Sequence, residues 1–203
     1  LSRGLGDVYK RQDDDIFYNC NKGEDFSFIT GLTKMGIETI PPLVGRGVLI
    51  NMAKHHGVSS MYGGQGITRE DIKKAIKKQN IELKKGDIIL FHTGWTDAKL
   101  KSSPEEWGAS IPGITNDAAV YLSEFKPMAV GADTWGLGAV PPIEGDKVYY
   151  DHVTLIKENG IYILETMDTG RLAKENVTEF MFVLGQPKLK GAVQMIINPV
   201  ALW

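Results

Sequence analysis

Cysteine is nearly absent from this 203-residue chain: only Cys20 occurs, so an internal disulfide is excluded and a reducing, cytoplasmic setting is expected. Cys20 sits in a polar Asn-Cys-Asn stretch with no histidine or basic group beside it to activate the thiol, so it is not expected to be catalytic. No apolar run is long enough to span a membrane, and no signal peptide is visible. Neither sign of charge dominates, because the net charge is −2 with both signs interspersed; this excludes the basic surface that nucleic acid needs. The paired lysines Lys73-Lys74, Lys77-Lys78 and Lys84-Lys85 read as the solvated face and exit turn of one helix. No Gly-x-Ser-x-Gly elbow is present, which argues against a Ser/His/Asp hydrolase. Histidine is scarce too: the four stand at 55, 56, 92 and 152, and none precedes His55.

What is present suits one globular α/β domain. An apolar fraction of 42% beside 24% charged residues is enough to cover a core and keep a wet surface. Residues 1–12 show no apolar periodicity and resemble translated sequencing-adapter read-through, so they are set apart from a domain over residues 13–203. Residues 13–42 read mainly as loop with one helical turn, ended by Pro41-Pro42, which force extended backbone.

Further on, strands and capped helices alternate. Gly47–Met52 reads as a strand, and His55-His56-Gly57 as an ordinary turn in which adjacent imidazoles point apart and make a poor chelate. Tyr62-Gly-Gly-Gln-Gly66 lacks the Lys-Ser/Thr ending of a phosphate cradle and reads as an entry loop. Thr68 with Asp71 three residues on predicts a capping box opening a helix to about Gln79, its narrow apolar face being Ile72, Ala75 and Ile76. Ile88–Phe91, Met128–Gly131, Glu179–Leu184 and Pro199–Leu202 read as further strands; Pro104 opens a helix and Thr115 caps another. The first of these strands delivers His92-Thr93-Gly94-Trp95 to a loop at its carboxyl end, where α/β proteins gather ligand sites.

Chemistry concentrates in Asp151–Glu165. His152 stands at the head of a short helix stopped by Asn159-Gly160, and Glu165 stands at the end of the strand Ile161–Leu164. A helix that folds back along its own strand brings the two together across thirteen positions, and an imidazole with a carboxylate can hold zinc or manganese. The bland readings stay open: a histidine that caps its helix, and a glutamate that solvates a strand end. Trp95 and Trp135, both at loop ends, could wall a flat aromatic substrate or simply pack in the core.

Five pieces in order, Val44–Leu49, Lys85–Trp95, Val130–Trp135, His152 to Glu165, and Glu179 to Gly191, resemble the metal-dependent cyclase hydrolase family, which includes bacterial kynurenine formamidase and isatin hydrolase. The likeness runs from about Tyr18 to the end. It implies a swivelling β/β/α fold with a mixed sheet, a homo-oligomer, His152 and Glu165 as metal ligands for zinc or manganese, and hydrolysis of a cyclic or acylated small-molecule amide. That family also carries His-x-x-Thr-His-x-Asp-x-x-x-His, source of most metal ligands and a catalytic histidine, just upstream of a segment resembling Asp15–Asn19. Nothing in residues 1–203 matches it. The expectation is therefore a chain cut below its principal ligands, holding metal weakly and inert by itself. The alternative is a metal-free binding or assembly module of the same fold.

Overall fold

A computed structural model describes the backbone of Ser2–Gly4 and all of residues 16–203. Its centre is an eight-stranded mixed sheet made of β1 (Ser2–Gly4), β2 (Leu43–Asn51), β3 (Ile88–His92), β4 (Ala129–Ala132), β5 (Tyr162–Leu164), β6 (Glu179–Leu184), β7 (Met195–Ile197) and β8 (Val200–Leu202), in the order β7-β1-β5-β4-β3-β2-β6-β8. The middle four, β5-β4-β3-β2, are parallel to one another. The flanking strands pair antiparallel, so the sheet is mixed, as the alternating pattern predicts. Among the described residues no helix is long and apolar enough to cross a membrane.

Both faces of the central strands are covered, which explains their unbroken apolar runs. In β3, Ile89 and Phe91 enter one core while Ile88 and Leu90 enter the other. The first core lies beneath the helices α2 (Arg69–Lys78) and α5 (Asn116–Glu124), introduced here in chain order with α1 (Met52–His56), α3 (Trp95–Lys99) and α4 (Pro104–Ala109). The second is closed by Ile37, Met167, Leu172, Phe180 and Phe182. Each strand thus splits its side chains by the two-residue period between two separate cores.

Several expectations hold in detail. Thr68 and Asp71 make both halves of the capping box, and Ile72 and Ala75 are buried beneath them. Glu179–Leu184 is a strand over the expected bounds. Cys20 is free and exposed.

Others need correction. His55-His56 is not a turn: the pair ends helix α1, and Gly57, with φ +73°, is its left-handed cap, a conformation that costs glycine no Cβ clash. Thr115 makes no capping bond to the helix it precedes; its hydroxyl meets the Ile67 carbonyl and the Asp117 side chain instead. Residues 16–42 carry three short 3₁₀ turns and a two-residue hairpin ladder rather than a single turn. Ser2–Gly4, set apart on sequence grounds, pairs between β5 and β7. The slot between two strands exposes peptide groups on both sides, and any extended backbone can satisfy them whatever its side chains. The rest of residues 1–12 lies outside the described residues.

Three of the five family-like pieces contribute to one architectural network. Arg46 on β2 donates to both oxygens of buried Asp87, at 3.0 and 3.2 Å, and to both oxygens of Glu179 on β6. Asp87 also accepts the Lys84 N–H at 2.7 Å, which closes the turn before β3. Replacing Arg46 by Leu leaves a buried carboxylate without its cation. The expected cost is about 2 kcal/mol, read as a lower urea midpoint at unchanged m-value. A midpoint equal to wild type would show that the network carries no stability.

Candidate metal centre

The register of β3, β4 and β5 sets three side chains at the same end of the sheet. Phe91 pairs with Ala132, and Gly131 with Leu164. Hence His92 as the last residue of β3, Asp133 just after β4 and Glu165 just after β5 all emerge at the carboxyl ends of adjacent parallel strands, where open α/β sheets form their crevice.

His152 reaches this end from the opposite direction. It closes the single turn α6 (Tyr150–His152), which runs on as a π-helix over Val153–Glu158 until Asn159 and left-handed Gly160. The wider π turn is an uncommon feature that often accompanies functional sites. Ile161 then starts the return toward β5, so helix and strand do fold back on each other. His152 Nε2 lies 3.3 Å from Glu165 Oε1, and both groups are buried.

Asp151, whose part was not foreseen, completes the arrangement. Its Oδ2 accepts from His152 Nδ1 at 3.1 Å. Gly138 makes room for this carboxylate, because a Cβ there would meet Asp151 Oδ1 at 2.9 Å. The Tyr149 ring packs edge-on to the imidazole at 5.7 Å. The only hint in the sequence was a carboxylate directly preceding the histidine, a pairing that usually points apart on a helix.

Burial disfavours a charged ring at His152, yet the charge and hydrogen bond of Asp151, followed by those of Glu165, outweigh it. Its pKa is pushed up to about 10. Asp133 carries the opposite problem. Burial raises its pKa, while nearby His92 and the bonds from Thr93 and Gly94 act against that rise. It accepts Thr93 N at 2.9 Å, Thr93 Oγ1 at 2.7 Å and Gly94 N at 2.8 Å, and these bonds fix the loop leaving β3. His92 Nδ1 is 2.8 Å from Thr169 Oγ1, so that ring is tied to the chain after β5.

A divalent metal fits the His152 side of this crevice. Two ligand atoms on one zinc ion at 2.0–2.2 Å sit roughly 3.3 Å apart, and His152 Nε2 with Glu165 Oε1 already stand at that separation. Asp151 on Nδ1 is the carboxylate partner that turns Nε2 toward a metal.

The two tryptophans behave differently. Trp95 is 2% exposed and packs inside. Trp135 keeps a partly open face while its Nε1 donates to the Trp107 carbonyl at 2.7 Å. Of the two, only Trp135 keeps exposed surface.

The structure brings His55 and His56 close to a third potential ligand. Their rings stand 5.0 Å apart, edge to face, and one ligand atom from each, together with one from Asp71, all lie within 4.8 Å of one another. Burial, then neighbouring His56 and Lys78, holds the His55 pKa below its usual value.

The family model Cyclase, described as "Putative cyclase", matches residues 25–139, more than half of the chain. A crystal structure described as a novel cyclase is 27% identical, with a TM-score of 0.84 over 99% of this chain and 68% of that one. Isatin hydrolase A from Labrenzia aggregata, bound to benzyl benzoate, is 17% identical with a TM-score of 0.67, covering 99% and 72%. A structure described as a "Potential Metal-Dependent Hydrolase With Cyclase Activity" is 18% identical with a TM-score of 0.59, covering 98% and 75%. No curated protein sequence matches.

The His152 ion pairs should show in the pH dependence of stability. Folding raises this pKa from about 6.5 to about 10. The pairing then contributes fully below pH 6.5 and is lost as pH rises through 10. In chelator, wild type should lose more stability than His152→Gln between those limits in chemical unfolding. Identical slopes for the two proteins would refute the buried charge.

Proposed function

The chain belongs to the cyclase family, and from that membership we propose that it is part of a metal-dependent hydrolase acting on cyclic or acylated aryl amides. One observation carries the reading: His152 and Glu165 converge at ligand spacing, with Asp151 behind the imidazole. The names of isatin hydrolase A and of the metal-dependent hydrolase neighbour support the same chemistry. Arylformamidase-like cleavage of an open-chain formamide belongs to the same reaction class, since both break a carbonyl C–N bond.

Zinc or manganese, when bound, would lower the pKa of a coordinated water to roughly 7 and polarise the scissile carbonyl. The chain's own residues have simpler tasks. Glu165 supplies anionic charge against the cation. Asp151 holds the His152 ring with Nε2 directed inward. Trp135 offers a flat wall for an aromatic substrate. The Asp133 bonds to Thr93 and Gly94 keep the neighbouring loop rigid, so the crevice is formed before substrate arrives.

His152 and Glu165 are two ligands, whereas a catalytic zinc usually has three and a water. The His-x-x-Thr-His-x-Asp-x-x-x-His pattern occurs nowhere in residues 1–203. In our reading the chain holds half of the catalytic centre, in a small-molecule amide hydrolase that works as a homo-oligomer. The competing reading, a metal-free binding or assembly module, draws on the same geometry. A ring clasped by two carboxylates is already satisfied as an ion pair and needs no metal.

Zinc and manganese titration of the 203-residue protein, with an aryl formamide assay, separates these readings. The half-centre predicts weak binding, above micromolar, and no turnover. Glu165→Gln and His152→Ala should each weaken binding at this centre about tenfold or more. Micromolar affinity with turnover would show a complete centre. The absence of any binding that depends on His152 or Glu165 would favour the metal-free module at this centre.

A further inference from the structure

His55, His56 and Asp71 lie outside the crevice and take no part in the function proposed above. They join two elements: the histidines end α1, and Asp71 stands in the first turn of α2. The fold makes little use of their polar atoms. His55 Nδ1 is sequestered from solvent without any hydrogen-bond partner. A buried polar atom left so is costly, and a ligand from solution is its simplest remedy. Asp71 Oδ2 accepts from Thr68 N at 3.0 Å and from Thr68 Oγ1 at 2.7 Å, which leaves its other oxygen outside the capping box.

Spacing distinguishes this cluster from an ordinary ion pair. No hydrogen bond or salt bridge joins either imidazole to Asp71, although one ligand atom from each of the three falls within 4.8 Å of the others. Three donor atoms gathered this closely can be drawn onto one cation, whose tetrahedral ligands at 2.0–2.2 Å stand roughly 3.3–3.6 Å apart. Small side-chain rotations close the remainder. None of the three residues is fully buried, and His55 also lines a cleft of about 370 Å³ with Asn51, Gln79 and Asn176.

We propose that His55, His56 and Asp71 form a second metal site, a staple for a borderline divalent cation such as zinc or nickel that ties the end of α1 to the start of α2. Two imidazoles and one carboxylate are the donor set such ions prefer, with one position left to water. Lys78 works against it. Its Nζ donates to the His55 carbonyl at 3.3 Å, and its charge and that of Lys74 both bear on the His55 ring. The site is therefore tuned to moderate affinity.

The test is zinc titration of the full chain in a His152→Ala/Glu165→Gln background, which removes the other candidate site, with thermal melts in parallel. Zinc should still bind this double variant and raise its Tm. Adding His56→Ala or Asp71→Asn should weaken zinc binding at least about tenfold and abolish the Tm rise. Lys78→Gln should tighten binding, by about two- to fivefold for one removed nearby charge. Circular dichroism in chelator checks the fold, and His56→Ala, at a helix end clear of the Thr68 cap, keeps the result readable if Asp71→Asn unfolds. Loss of all binding in the His152→Ala/Glu165→Gln protein would overturn the site, as would His56→Ala binding zinc like its parent. Either outcome leaves the hydrolase reading untouched.

Discussion

Four parallel strands paired in one register are the constraint on which the rest of this molecule depends. Because β3, β4 and β5 run the same way, the residues that leave their carboxyl ends meet in one crevice. His92, Asp133 and Glu165 are far apart in the chain and owe their proximity to this pairing alone. A slip of one residue in β5 would turn Leu164 out of its core and carry Glu165 to the other face. The two cores resist that slip, since the buried apolar side chains of β3, β4 and β5 are divided between them.

Against this frame the site is a matter of managing buried charge. His152 is held between Asp151 and Glu165, so the imidazole is either a cation satisfied by two anions or a neutral ligand directed by one of them toward the other. The geometry is the same in both cases, which is why the enzyme and metal-free readings share their evidence. Asp133 stands nearby with backbone and hydroxyl donors as its partners and spends its charge on shaping a loop. Two buried carboxylates a strand apart thus take separate roles because their donors differ.

The pieces that identified the family divide in the same manner. Arg46, Asp87 and Glu179 tie the amino-terminal edge of β3 to β2 and β6, far in function from the crevice. His152 and Glu165 hold the opposite end. The family match over residues 25–139 takes in Arg46 and Asp87, which hold the sheet together, and ends before His152 and Glu165.

Sequence alone determined the elements whose signal is local. The Thr68–Asp71 capping box, the apolar runs of β3 and β6, and the stop at Asn159-Gly160 need only short-range bonds or a two-residue period, and all appear. The pairing of His152 with Glu165 was legible because a short helix and its own return strand bring them together with few residues between. Tertiary structure decided what depends on distant partners. Trp95 and Trp135 look alike in sequence, and both indoles donate to the Trp107 carbonyl, yet one is buried and the other half-open. Asp151 gained its place behind His152 only through the space left at Gly138, thirteen residues earlier. Gly57 marks His55 and His56 locally as a chain stop, whether of a turn or of a helix; that the pair faces Asp71 is supplied only by the packing of α1 against α2. Local chemistry fixes where an element begins and ends, and only packing fixes which side chains it shares space with.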